Sequence, residues 1–245
     1  MKLVKLALFA LLSAASFAQT ANAQQPPVSE AVKRSVTPLR ADEFWLQVAS
    51  REALTEAIAV AEQLLGPECE FRTDHAISKP AGSPAATPWH QDQPYYNVDG
   101  RQNVSMWLPV DPVSRGATLE FVAGSHLGPW LMPRTFLKNE AKWFPEGSLA
   151  DLPDIDANRD DYDIIGWALE PGDAVFFNML TLHASAGVSG SHRRRAFSVR
   201  FLGDDMTHAP RPWTTSPPFP GLENELAAGV PMHHVLFPLL NQARP

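Results

Sequence analysis

Cysteine is almost absent: Cys69 is the only one in 245 residues. A single thiol excludes an internal disulfide framework and a thiolate metal cage. Any metal held here must therefore sit on imidazole and carboxylate, a donor set that suits iron, manganese or zinc. A basic stripe is missing too. The net charge is −7, acids and bases are interspersed, and the one basic cluster is Arg193-Arg194-Arg195. Three arginines are too few to track a run of phosphates, which argues against a nucleic-acid partner. The apolar run from Leu6 to about Ala18 is shorter than the roughly 20 residues of a membrane span.

What is present, 44% hydrophobic and 19% charged residues, suits one globular domain with a substantial core. Residues 1–23 place Lys2 and Lys5 before that apolar run and Ala21-Asn22-Ala23 after it, the order of an export leader. Its removal would leave 245 − 23 = 222 residues in a periplasmic or secreted protein. The alternative is a buried first helix in a cytoplasmic protein. Residues 24–49, bearing Pro, Ser and Gln, read as a leading arm, and 50–245 as one domain. Ser50 can cap a helix over 51–65, with Leu54, Ile58, Ala61 and Leu65 on one face and Gly66-Pro67 as its stop.

Beyond Pro67 short apolar or alternating runs are separated by Pro, Gly, Asp and Asn, as in an antiparallel sandwich or barrel. Strands are predicted near 69–78, 86–92, 103–109, 117–122, 164–169, 173–178 and 195–202. Residues 129–163, with Trp130, Trp143, Phe144 and an acidic run, form an irregular insertion of the kind that serves as a lid or binding loop or is disordered. The Pro-rich tail after Asp205 is expected to wrap the domain in extended conformation.

Chemistry concentrates at "PWHQDQPYY", residues 88–96. On a strand His90 and Asp92 project from one face and Gln91 from the other. An imidazole beside a carboxylate is two thirds of a metal site. His183, where "FFNMLTLHASAG" opens from apolar into small residues, is the candidate third ligand. Two histidines and one carboxylate on one face of iron leave three positions open, the facial triad of non-haem oxygenases.

"PWHQDQPYY", "MWLPVDPVSRGATLEFVAGSH", "LEPGDAVFFNMLTLHASAG" and "RRRAFSVRFLGDD" follow in order, and over about 60–210 the sequence resembles the phytanoyl-CoA dioxygenase family of Fe(II)/2-oxoglutarate oxygenases. The resemblance implies a mainly β fold with flanking helices around a double-stranded β-helix (jelly-roll, cupin-like) core. It implies His90, Asp92 and His183 as catalytic iron ligands, and Fe(II), 2-oxoglutarate and O2 as cofactor and co-substrates. Arg194, 11 residues after His183, matches the arginine that takes the far carboxylate of 2-oxoglutarate. A guanidinium grips a carboxylate bidentately, which a lysine does less well. Residues 194, 196, 198 and 200 share strand parity, so Ser198 could assist Arg194; a one-residue slip would hand the role to a neighbouring arginine. Trp107 and Ser185 match positions lining the 2-oxoglutarate pocket. "AGSH" at 123–126 matches a recurrent turn with Ala123 where proline is usual, and His126 reads as structural. The remaining histidines, His75, His192, His208, His233 and His234, carry no assigned role and read as surface-like.

Hydroxylation of a small organic substrate with release of succinate and CO2 is the implied reaction. Asp92 favours it over halogenation, because related halogenases carry a small residue there. Two other readings remain open: a cupin-like isomerase or hydrolase using manganese or zinc, and a non-catalytic exported binding module. An exported location would sit uneasily with a family that works where 2-oxoglutarate and Fe(II) are supplied.

Overall fold

The computed structural model describes residues 70–133, 144–215, 218–234 and 236–237, with side chains from Ile77 onward. The leader, the arm, the helix expected over 51–65, Cys69 and Trp143 lie outside the described residues.

Ten strands are described: β1 (Glu70–Lys79), β2 (Thr87–His90), β3 (Val98–Asp99), β4 (Asn103–Pro109), β5 (Leu119–Val122), β6 (Ile164–Ile165), β7 (Val175–Phe177), β8 (His183–Ser185), β9 (Arg194–Leu202) and β10 (Thr207–His208). Two four-stranded sheets, β1-β9-β4-β7 and β2-β8-β5-β6, are antiparallel throughout, and β10-β3 forms a small third one. Trp107, Val175, Phe177 and Ala196 of the first sheet meet Leu119 and Phe121 of the second in a shared core. This is the antiparallel sandwich that the turn-separated strands predict and the jelly roll that the family resemblance implies. Side chains alternate across a strand, so each strand lends one parity to the interior between the sheets.

The central strand β9 explains a stretch that does not read as half-buried. Its partners are β1 on one side and β4 on the other. Arg194, Ala196, Ser198 and Arg200 share one face, and the opposite parity, Phe197, Val199 and Phe201, is buried as well. A strand covered on both faces loses the apolar/polar alternation that marks a solvated one.

The predicted strands nearest the site end early, for local reasons. The strand expected to 92 stops at His90, and Asp92 has helical dihedrals (φ −74°, ψ −44°) ahead of a 3-10 turn at Gln93–Tyr95. The Asp92 and Gln93 N–H groups both donate to the Met179 carbonyl, and Pro94 suits the first positions of such a turn. The run from 173 does not continue to His183 either. Asn178 breaks it: its Oδ1 accepts from Leu180 N–H, its carbonyl accepts from Thr181 N–H, and its amide reaches the Asn103 carbonyl. His183 thus opens a new strand in the other sheet.

The insertion is ordered where described. Leu131 and Ile155 pack with Trp89, Val122, Leu182 and Ala184, and Leu131 bridges Ala150. The tail is not extended throughout, since Leu222–Glu225 is helical, and it contributes core: Met206, Leu222, Leu226, Met232 and Phe237 pack on Tyr96, Val98, Met179 and Leu202. His208, expected at the surface, is buried on β10 with Nδ1 on the Leu226 carbonyl, 2.7 Å away. None of the described helices is long and apolar enough to cross a membrane.

Candidate active site

His90 ends β2 and His183 begins β8, and the two are register partners, with ring centroids 4.2 Å apart. The turn after His90 brings Asp92 onto the same side. His90 Nε2 lies 3.8 Å and His183 Nε2 3.7 Å from Asp92 Oδ1. Each ring spends its other nitrogen on its own segment: Nδ1 of His90 on the Pro88 carbonyl at 2.8 Å, Nδ1 of His183 on the Thr181 carbonyl at 2.9 Å. A carbonyl accepts only from N–H, so both rings carry a proton on Nδ1 and turn Nε2 inward. Burial, with His90 beside it, pushes the His183 pKa down to about 3, so its imidazole is neutral at ordinary pH. Phe121 and Phe177 flank that ring at centroid distances of 6.1 and 4.7 Å.

Asp92 is divided in function between its two oxygens. Oδ1 faces the imidazoles. Oδ2 accepts from Ser105 Oγ at 2.7 Å and from Arg200 Nη2 at 2.8 Å. Burial by itself would raise the Asp92 carboxyl, but Arg200, the two histidines and Ser105 outweigh it and hold it well below the usual carboxylate range. Ser105 and Arg200 stand opposite each other on β4 and β9, so two paired strands aim both donors at one oxygen. The donor atoms of His90, Asp92 and His183 lie within 4.8 Å of one another. Two imidazole nitrogens and one carboxylate oxygen, with the second carboxylate oxygen occupied, fit a divalent first-row metal.

Deeper in the barrel Lys79 and Arg194 are cross-strand partners on β1 and β9. Both point at Ser185, two residues past His183: Lys79 Nζ donates to its Oγ at 3.1 Å and Arg194 Nη2 at 3.3 Å. Arg194 also donates to the Ala117 carbonyl, and its charged carbon sits 5.7 Å from the Trp107 ring centroid. Burial, with Arg194 beside it, lowers the Lys79 pKa to about 8, and burial lowers that of Arg194. Among the described residues no carboxylate offsets either cation. Like charges face to face across a sheet are unfavourable, and two buried cations around one hydroxyl form a receptor for an anion.

The site residues expected from sequence thus fall into two groups. His90, Asp92 and His183 converge, and Arg194, Ser185 and Trp107 cluster behind them. Ser198 goes elsewhere: it shares Arg194's face, but its Oγ accepts from Arg200 Nη1 at 2.8 Å. Arg195 faces away and clamps Asp111 through Nε and Nη2 at 3.0 and 2.7 Å, and Arg193 is exposed. His126 sits in a 3-10 turn, Ser125–Leu127, with its Nδ1 buried and without a hydrogen-bond partner among the described residues. Lys79, Ser105 and Arg200 escaped the sequence reading. Arg200 was findable, since it shares parity with Arg194. Lys79, before a Pro-Ala-Gly turn, looks like a solvated strand end until the register is known.

The other face of β2 anchors the insertion. Gln91 donates to the Pro129 and Leu180 carbonyls and accepts from Leu131 N–H, and Trp89 Nε1 donates to Asp156 at 3.0 Å. Next to His90, Tyr95 makes an edge contact with Phe144, which packs on Trp213. Arg211 lies over Trp130, 4.8 Å from its ring centroid.

Comparison with known proteins agrees with this arrangement. The phytanoyl-CoA dioxygenase family model matches residues 8–196, starting inside the leader-like stretch and taking in all three converging residues and Arg194. The peroxisomal phytanoyl-CoA dioxygenase of Bos taurus is 28% identical over 182 residues, 71% of this chain and 50% of the bovine protein. The chain spans about half the length of the curated relatives it matches. Among solved structures, EvdO2 from Micromonospora carbonacea var. aurantiaca, complexed with 2-oxoglutarate, is 25% identical with TM-score 0.54, covering 70% of this chain and 68% of its own. The epimerase SnoN, in complex with Fe3+, alpha ketoglutarate and nogalamycin RO, shares the fold at 20% identity and TM-score 0.59, over 80% of this chain and 73% of its own.

Proposed function

This chain belongs to the phytanoyl-CoA dioxygenase family, and from that premise we propose that it is an Fe(II)/2-oxoglutarate-dependent dioxygenase that hydroxylates a small organic substrate. One observation carries the proposal. A His-Asp-His face and a buried cation pair with no acidic partner among the described residues occupy one barrel, linked through β8 by His183 and Ser185.

When bound, ferrous iron with 2-oxoglutarate and dioxygen supplies oxidative decarboxylation of the 2-oxoacid to succinate and CO2, coupled to hydroxylation of a substrate C–H bond. His90 and His183 hold the metal through Nε2 and Asp92 through Oδ1. With the backbone carbonyls on each Nδ1, the rings cannot swing, and the ligand set is preorganised. Arg194, Lys79 and Ser185 receive the far carboxylate of 2-oxoglutarate. Trp107, Phe121 and Phe177 line the space near the cations and His183 with apolar surface. Asp92 supplies the carboxylate position that a halogenase leaves to halide. Tyr95, Phe144 and Trp213 suit an apolar or ring-bearing substrate on the His90 side.

Anaerobic addition of Fe(II) with and without 2-oxoglutarate tests the reading. A weak visible charge-transfer band that needs both components, and that Arg194→Ala shifts to higher 2-oxoglutarate concentration, is the expected result. Iron binding without the band would favour a Lewis-acid enzyme of cupin type, and no iron binding a non-catalytic module.

A further inference from the structure

Two buried groups, Arg200 and Ser105, donate to the second oxygen of Asp92, and neither touches the metal face. Arg200 is the central one. It is 8% exposed, donates Nη2 to Asp92 Oδ2 at 2.8 Å and Nη1 to Ser198 Oγ at 2.8 Å, and lies 5.6 Å from the Tyr96 ring centroid. Ser105 adds the second donor to the same oxygen at 2.7 Å. Among the described residues Asp92 is the only carboxylate paired with Arg200.

We propose that Arg200, with Ser105, is a positioning residue that fixes Asp92 as a one-oxygen ligand, so that the metal keeps three open positions for 2-oxoglutarate and dioxygen. This rests on the metal-site reading given above. A carboxylate with both oxygens free can turn and chelate a metal, taking a position that the bidentate 2-oxoacid needs. Two donors on Oδ2 prevent that turn. Both come from hydrogen-bonded partners on β4 and β9, so neither can follow Asp92 if it rotates. The guanidinium also withdraws charge from Asp92, making it a weaker donor and favouring the ferrous over the ferric state.

β9 then serves both ends of the site. Arg194 and Arg200 lie on one face about 20 Å apart along an extended strand, one at the cation cluster and one behind the metal ligand.

The test compares wild type with Arg200→Gln and Arg200→Lys by anaerobic Fe(II) titration, by 2-oxoglutarate titration of the charge-transfer band, and by the Fe(III)/Fe(II) midpoint potential. Arg200→Gln is expected to bind Fe(II) about 10–100-fold more weakly, because losing the fixed orientation of Asp92 outweighs its gain in donor strength. The band should need about tenfold more 2-oxoglutarate although Arg194 and Lys79 are intact, and the potential should move negative. Arg200→Lys, which keeps the charge but not the fork, should recover the potential more than the affinity. An Arg200→Gln protein that melts lower yet binds metal and 2-oxoglutarate like wild type, at unchanged potential, makes Arg200 a mere counter-ion and overturns the inference. Should that variant not fold, Ser105→Ala decides: several-fold weaker Fe(II) binding upholds the inference and unchanged binding overturns it. Wild-type protein that binds no metal takes down the functional proposal and this inference together. Metal-binding wild type with indifferent variants takes down the inference alone.

Discussion

The two ends of the barrel interior handle buried charge in opposite ways. At the metal end Asp92 and Arg200 form an ion pair, with the neutral His183 imidazole and His90 beside it. At the far end Lys79 and Arg194 face each other over a hydroxyl, with no carboxylate among the described residues to offset them. The first arrangement is internally satisfied and gains a cation; the second is unsatisfied and waits for an anion. Breaking a buried ion pair strands a charge, whereas removing one of two buried like charges relieves repulsion. Substitution at the two ends should therefore move the stability of the ligand-free protein in opposite directions.

The largest effect belongs to Asp92→Asn. It leaves Arg200 buried without its charge partner, and the metal-free protein should lose about 3–5 kcal/mol in denaturant unfolding. Metal binding should vanish with it. A ligand-free stability equal to that of wild type would mean that the pair is not the electrostatic unit inferred here.

Arg194→Met comes next and separates the ends. Its 2-oxoglutarate affinity should fall on the order of 100-fold, about 2.7 kcal/mol, because a buried carboxylate loses its fork. Its ligand-free stability should hold or rise by about 1 kcal/mol. Isothermal titration on the Fe(II)-loaded protein and melts of the apoprotein measure the two quantities. Loss of stability would show that the bonds of Arg194 to the Ala117 carbonyl and the Ser185 hydroxyl outweigh its repulsion from Lys79.

A smaller and graded effect follows from Lys79, whose pKa burial and Arg194 lower to about 8. An anion beside it favours the charged ammonium, so binding above that pH must take up a proton. 2-Oxoglutarate affinity should be flat below about 8 and fall at most tenfold per pH unit above it. Lys79→Arg should flatten the profile. Ligand-free stability runs the other way. Between about 8 and the ordinary 10.5 the unfolded lysine is protonated and the folded one is not, so stability rises with pH across that window. A pH-independent affinity up to 9.5 would place Lys79 outside the anion site.

The contrast between the ends was only half legible in the sequence. The metal ligands announced themselves, because imidazole and carboxylate two residues apart between prolines and aromatics carry chemistry in their types. β4 and β9 could be placed because Val104, Met106, Val199 and Phe201 keep strand-like runs between turn residues. Lys79 and Ser105 could not be assigned, since their roles depend on which residue lies opposite on another strand, and register is a property of the assembled sheets. β8 was hidden for a related reason: Asn178 makes its turn with side-chain hydrogen bonds rather than with glycine or proline.

Ser198 is where the two ends compete for one residue, and its substitution gives the smallest effect. Strand parity alone allows it to serve Arg194, since both side chains enter the same interior. The observed hydrogen bond ties it instead to Arg200, in the group behind Asp92. Ser198→Ala should then cost about 1.5 kcal/mol of stability, the low end for a hydrogen bond to a charged group. Fe(II) affinity should fall a few-fold through the loosened Arg200, while 2-oxoglutarate affinity at saturating metal stays within twofold of wild type. The reverse pattern, with metal binding intact and 2-oxoglutarate weakened, would move Ser198 to the far end. The guanidinium of Arg200 would then hold Asp92 without help from its own strand, and the division of β9 between the two ends would fall between Ser198 and Arg200 rather than between Arg194 and Ser198.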